Sequence, residues 1–260
     1  LLFLTPALTA RFVREARVAA ALQHPNIIPV YDVGCFADGT PFYTMRRVDG
    51  CTLHQALARA EDLAERMALL PRVIAAAEAI AFAHANGVVH RDLTPANILV
   101  GDFGETVVID WGLAKDLRPD DDRVAPKYQT GTTQMVLTAR GDVIGSPAYM
   151  PLEQATGSET DARVDVYGLG AILYHLLTGS APYVGRSHDA ILAQVREAAP
   201  EPVRRRAKRA PAALAAIVGK AMARDATDRY PTAVELVSDL RRYQTELVVD
   251  AHRSRLRIFD

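Results

Sequence analysis

Three side chains stand at spacings that suit phosphoryl transfer: Asp92 in the triplet His90-Arg91-Asp92, Asn97 five positions later, and Asp110 eighteen positions after Asp92. That chemistry needs a carboxylate that orients a hydroxyl, an amide that can accept a metal, and a second carboxylate that holds the metal against phosphates. A rival for the last role is Asp102, because "GDFGETVVIDWGLAK" (101–115) holds both an Asp-Phe-Gly and an Asp-Trp-Gly triplet. Asp102 falls between two short β-rich runs, "NILV" and "TVVI", where a hairpin needs turn residues.

The elements around these residues can be read from periodicity. "TARFVREARVAAALQ" (9–23) places Phe12, Ala16, Ala19 and Ala20 on one face with Thr9 at its start, which predicts a helix that ends before His24-Pro25. "IIPVYDVG" (27–34) and "PFYTMRRV" (41–48) flank Asp38-Gly39 and predict a β-hairpin. Beyond Gly50 the pattern turns helical, with helices expected near 53–60, 66–86, 161–178, 187–198, 211–223 and 231–246. The stretch 116–147, rich in Asp, Pro, Thr and Gly, predicts a mobile loop.

Composition narrows the function classes. The chain has 260 residues, 49% of them hydrophobic, enough to bury a sizeable core. Its 30 Lys and Arg against 31 Asp and Glu leave a formal charge of −1, so nothing in bulk charge favours nucleic acid or an anionic membrane. "RRRAKR" (204–209) is expected as a solvated run in a Pro-flanked loop rather than a nucleic-acid contact. Two cysteines, Cys35 and Cys51, give neither a disulfide framework nor a zinc set, and point to a reducing cytoplasm. The apolar stretch 73–89 contains Glu78 and His84 and ends at Asn86-Gly87, so it reads as a buried helix and not a membrane span. The opening "LLFLTPALTARF" lacks Met and signal-peptide order, which suggests a start farther upstream.

"HRDLTPAN" (90–97) resembles the catalytic loop of the eukaryotic-type protein kinases, in particular their bacterial Ser/Thr members, and "DWGLAK" (110–115) resembles their metal-binding triplet with Trp for Phe. "HPNIIPVYDVG" (24–34), "GSPAYMPLEQ" (145–154), "DVYGLGAILYHLLTG" (165–179) and "RYPTA" (229–233) resemble further family segments, in family order. The resemblance implies an α+β, two-lobe fold: an incomplete small β lobe over 1–47, a mainly helical large lobe over 48–246, and a tail over 247–260. It implies ATP and Mg²⁺ as cofactors, protein substrates phosphorylated on Ser or Thr, no nucleic-acid partner, a cytoplasmic location, and membrane attachment only if the parent chain continues into an anchor.

Residue roles follow from the same resemblance. Asp92 would orient the acceptor hydroxyl, and Asn97 and Asp110 would hold magnesium, which makes Asp102 the decoy. Glu15 would pair with a nucleotide-positioning lysine, and Met45, Arg46, Arg47 and Val48 would form the hinge that binds adenine. Arg91 would meet a phosphorylated residue among Thr130, Thr132, Thr133 and Thr138. Asp165 would brace the catalytic loop, and Glu153 with Arg229 would form a buried ion pair. Three features depart from the family: no glycine-rich loop or lysine precedes Glu15, Thr94 stands where a phosphate-contacting lysine is usual, and "PLE" (151–153) replaces Ala-Pro-Glu. Truncation upstream would account for the first, with true loss of the lysine in a pseudokinase as the alternative. Two other readings share parts of the pattern, a pseudokinase acting as an interaction module and a small-molecule kinase of the aminoglycoside type.

Overall fold

The computed structural model of the chain describes residues 6–116 and 146–256. Thr130, Thr132, Thr133 and Thr138, and nearly all of the predicted 116–147 loop, lie outside the described residues.

The first helix, α1, runs Pro6–Ala21 and starts three residues before the expected Thr9. Proline at a first helical turn explains the shift, because its fixed φ suits the helix and its missing N–H would have had no partner there. The hairpin follows as β1 (Val30–Cys35) and β2 (Pro41–Met45), antiparallel, with Val30 opposite Met45 and Cys35 opposite Pro41. Its turn uses Gly39 at φ 83 and the Asp38 carboxylate, which accepts the Thr40 N–H at 2.9 Å. Both strands are shorter than their sequence patterns. Ile27 and Ile28 bridge instead to Val108, and Arg46–Val48 lead away from the hairpin.

A short strand not anticipated from sequence, β3 (Gly50–Thr52), leads into α2 (Leu53–Arg59) through a reciprocal cap between Thr52 and Gln55. The helix expected over 66–86 is two helices, α3 (Leu63–Met67) and α4 (Leu70–Ala85). Pro71 accounts for the break, since its ring clashes with the carbonyl four residues back, that of Met67. After α4 come β4 (Val88–Val89), a 3₁₀ turn (Pro95–Asn97), β5 (Ile98–Gly101), β6 (Thr106–Val108) and β7 (Lys115–Asp116). β3, β5 and β6 form one antiparallel sheet in that order, and β4 pairs with β7. Asp102 and Phe103 are exposed at the tip of the β5–β6 hairpin.

The second described segment is helical: α5 (Leu152–Thr156), α6 (Arg163–Thr178), α7 (His188–Glu197), α8 (Val203–Arg206), α9 (Ala212–Ala221) and α10 (Ala233–Leu256). Two elements depart from expectation. α10 continues ten residues past 246, and the first half of the basic run is a helical turn, α8, with Arg204, Arg205 and Arg206 exposed. α6 buries fourteen of its sixteen residues, and α4, α9 and α10 pack around it. The stretch Leu63–Ala85 is long and apolar enough to cross a membrane by length and composition. In this fold, however, α4 buries eight of its sixteen residues in the shared core, including Val73, Ile74 and Ile80 at 0% exposure.

Candidate active site

The centre of the site is a loop held from beneath by one buried carboxylate. Asp165, near the start of α6 and 1% exposed, accepts the backbone N–H of His90 at 2.7 Å and of Arg91 at 2.8 Å, and its Oδ2 lies 2.8 Å from His84 Nε2. Burial pushes this carboxyl up. The hydrogen bond and charge of His84, the charge of His90 and the Arg91 N–H outweigh burial and hold it below its ordinary value. Arg91 adopts φ 70, a left-handed conformation that costs a non-glycine residue of order 1 kcal/mol and more, and the Asp165 bonds fix it there. Gln154 adds a third tie, donating from Nε2 to the Arg91 carbonyl at 2.6 Å.

That backbone turn presents Asp92. Its carbonyl accepts the Asn97 amide at 2.9 Å, and its Oδ1 accepts the Ser146 N–H at 3.4 Å. Asn97 therefore spends its donor end on the loop, leaving its oxygen as the atom a hard cation would use. The Asn97 carbonyl accepts the Ile109 N–H at 3.0 Å, so the loop is tied to the residue just before Asp110. Asp110 also lies in the left-handed region, at φ 62, and its Oδ1 accepts the Gly112 N–H at 3.3 Å. Trp111 is fully buried and its ring lies 4.7 Å from that of His90, so the larger aromatic is absorbed by the core.

An amide oxygen and one carboxylate suit magnesium, which takes few protein ligands and completes its shell with phosphate and water. Among the described residues no group of three or more His, Cys, Asp or Glu forms a self-sufficient metal cage. The donor set fits a cation delivered with a nucleotide.

The other sequence-predicted residues fall around this centre. Glu15 accepts the Tyr43 hydroxyl at 3.1 Å. Burial, then the Glu15 charge and hydrogen bond and the Asp110 charge, push that phenol up to about 12, which brings α1, β2 and Asp110 into one electrostatic neighbourhood. In the segment expected to form the hinge, Met45 is half exposed, Arg46 pairs with Glu105 at 3.4 Å, Arg47 pairs with Asp49 at 2.8 Å, and Val48 packs against the core. Thr94 is 4% exposed, and its Oγ1 caps the 3₁₀ turn by accepting the Ala96 N–H at 3.2 Å. The Arg91 guanidinium is lowered from its ordinary value by burial and by Arg14, with Asp165 opposing, and its Nε is buried with no partner among the described residues. Glu153 and Arg229 form a two-pronged pair at 2.6 and 3.0 Å, and Arg229 also donates to the carbonyls of Ala223, Arg163 and Arg224.

Sequence reasoning passed over His84, Gln154 and Tyr43. Only His84 left a trace, as a polar residue on the apolar pattern of α4. Asp92, Thr94, Ser146 and Tyr149 line one open depression beside the candidate base.

Comparison with known proteins accounts for this arrangement. Residues 5–240 match the protein kinase domain family. The chain is 37% identical over 254 residues to serine/threonine-protein kinase PknD of Protochlamydia amoebophila, an alignment that covers 92% of this chain and 26% of that protein. It is 39% identical over 251 residues to serine/threonine-protein kinase PknB of Mycolicibacterium smegmatis, covering 95% of this chain and 38% of the relative. PknB of Mycobacterium tuberculosis is 36% identical over 262 residues, with 96% and 40% covered. The chain thus spans about a quarter to two fifths of the length of these curated relatives. With a family match over nearly its whole length and a catalytic-type loop braced on a buried aspartate, the chain belongs to the protein kinase family, among relatives named as bacterial serine/threonine-protein kinases.

Proposed function

We propose that this chain transfers the γ-phosphoryl group of ATP to Ser or Thr hydroxyls of proteins. The observation that carries the reading is the bracing of the Asp92 loop: two backbone N–H groups fixed on Asp165, the Arg91 carbonyl fixed on Gln154, and the Asp92 carbonyl fixed on Asn97. A loop tied at four points is preorganised, which is where phosphoryl transfer gains most of its rate.

In the reaction, the acceptor hydroxyl oxygen bonds to the γ-phosphorus as the bond from that phosphorus to the bridging oxygen breaks, leaving ADP. The Asp92 carboxylate orients the hydroxyl and receives its proton. Asn97 and Asp110 would hold Mg²⁺, which when bound neutralises charge on the phosphates. Met45 to Val48 would offer backbone groups to adenine, and Glu15 would pair with a nucleotide-positioning lysine. Thr94, occupied with its cap, leaves the phosphate to other groups and shapes the turn that carries Asn97. Arg91 would receive a phosphate on one of Thr130, Thr132, Thr133 or Thr138. Residues 1–47 act in this reading as the remainder of the small lobe, 48–246 as the large lobe and 247–260 as a tail, in a protein that works in the cytoplasm.

The test is Mg²⁺-dependent incorporation of labelled phosphate by the full-length protein beside its Asp92→Asn variant. Incorporation that vanishes with Asp92→Asn is expected. Equal incorporation by both, or none by folded wild type, refutes the assignment.

A further inference from the structure

One side chain at the site has no part in the proposed reaction, although it joins elements that the reaction needs. Tyr43 lies on β2, two residues before Met45. Its ring lies 4.8 Å from that of Phe12, tilted by 37°, and its hydroxyl donates to Glu15 Oε1 at 3.1 Å. Phe12 and Glu15 are three residues apart on α1 and so share one face of that helix. Tyr43 therefore meets α1 at two points about 4.5 Å apart along its axis, the rise of three residues.

Packing alone accounts for the ring and not for the hydroxyl. Phenylalanine at this position would keep the contact with Phe12, and α1 is seated besides by the buried Ala16 and Ala19. What the hydroxyl adds is a charge-assisted bond that gives the Glu15 carboxylate a fixed place on β2. Burial is the first cause that pushes the phenol up to about 12; the charge and hydrogen bond of Glu15 and then the charge of Asp110 supply the rest. Two carboxylates that both act on one phenol repel each other, and a donor between them offsets that repulsion. Tyr43 takes Oε1 alone, and a carboxylate has lone pairs for several donors, so the phenol and the ammonium group of a lysine can share Glu15.

We propose that Tyr43 is a positioning residue for the nucleotide: its hydroxyl holds Glu15, and with it α1, against β2 before ATP and Mg²⁺ arrive. Without that bond the competent placement of Glu15 is populated only in part, and apparent affinity for the nucleotide falls by that fraction. This role deepens the kinase reading and rests on it for the parts played by Glu15 and Asp110.

The experiment compares the full-length protein with Tyr43→Phe, Glu15→Ala and the double variant. Tyr43→Phe should raise KM for ATP and lower kcat/KM for ATP by about tenfold, the scale of one hydrogen bond to a charged group, with KM for a peptide substrate unchanged. In the Glu15→Ala background the same substitution should change kcat/KM by less than about twofold, whereas a packing defect would carry through. In nucleotide-free protein, backbone amides of α1 should exchange hydrogen faster in Tyr43→Phe while those of α6 keep their protection. Wild-type kcat/KM in Tyr43→Phe, an equal loss with and without Glu15, or unchanged exchange in α1 overturns the proposal and leaves the kinase reading intact. If folded wild type transfers no phosphate, binding of fluorescently labelled ADP with Mg²⁺, followed by anisotropy, separates the two ideas. Binding about tenfold weaker in Tyr43→Phe, with no such difference in the Glu15→Ala background, upholds the positioning role while the kinase reading falls. Equal binding by wild type and Tyr43→Phe, or none by either, removes the positioning role as well.

Discussion

Replacing Asp165 with asparagine should separate the two jobs of this carboxylate, charge and geometry. The native side chain accepts three bonds: Oδ2 from His90 N–H and facing His84 Nε2, and Oδ1 from Arg91 N–H. Asparagine offers one oxygen and one NH₂ in the same space, so one pair of partners must meet a donor. Turning the NH₂ toward Arg91 breaks one backbone bond, and turning it toward His90 and His84 disturbs two, so the first orientation wins. The loss is one hydrogen bond to a charged group, about 1.5–3 kcal/mol. Alanine removes all three bonds and should cost about 5 kcal/mol or more. Urea unfolding of the two variants beside wild type reads this order directly, and thermal unfolding should show a drop of about 3–12 °C for asparagine. Phosphate incorporation should fall further than stability does, because an unhooked Arg91 can leave its φ of 70 and carry Asp92 with it. An asparagine variant within about 0.5 kcal/mol of wild type, or equal losses for asparagine and alanine, would refute the bracing argument.

Other outcomes follow from the same structure. Because Asp165 titrates below its ordinary value, its stabilisation is present above about pH 4 and disappears as pH falls through the folded value; an acid titration of Asp165→Asn should lack that component. Glu153→Ala leaves the fully buried Arg229 guanidinium without its counter-ion and should cost about 3–5 kcal/mol in urea unfolding, against a small loss for Arg47→Ala in the exposed pair with Asp49. Thr94→Ala removes the cap on Ala96 and should cost about 1 kcal/mol by the same assay, with loosened hydrogen-exchange protection at Ala96 and Asn97.

The readable parts of the sequence were those set by local chemistry. Asp38-Gly39 demanded a turn, Asn86-Gly87 ended α4, and Asp102 fell where a hairpin tip had to be, so the hairpins and most helices could be placed before any coordinates. The spacing of Asp92, Asn97 and Asp110 was legible too, since all three lie within nineteen residues of one loop and hairpin. What stayed hidden depends on distant partners. β3 is three residues long and exists because Cys51 pairs with Val100, some fifty residues away. His84 touches Asp165 across 81 residues, and Tyr149 meets His175 across 26. The break at Pro71 was within reach of sequence reasoning, but the strong apolar period across 66–86 masked it.

The span-like hydropathy of Leu63–Ala85 has a consequence for how the chain is made. α4 leaves the ribosome long before its cover does: α6 begins at Arg163 and α10 at Ala233. At about 5–20 residues per second, the interval before α10 appears lasts roughly 7–30 s. Throughout it the face of α4 that α10 covers has no native partner, and it presents to the translation machinery the kind of segment that chaperones bind. Slowing synthesis between residues 85 and 233 should therefore lower the soluble yield of this domain more than slowing it after α10.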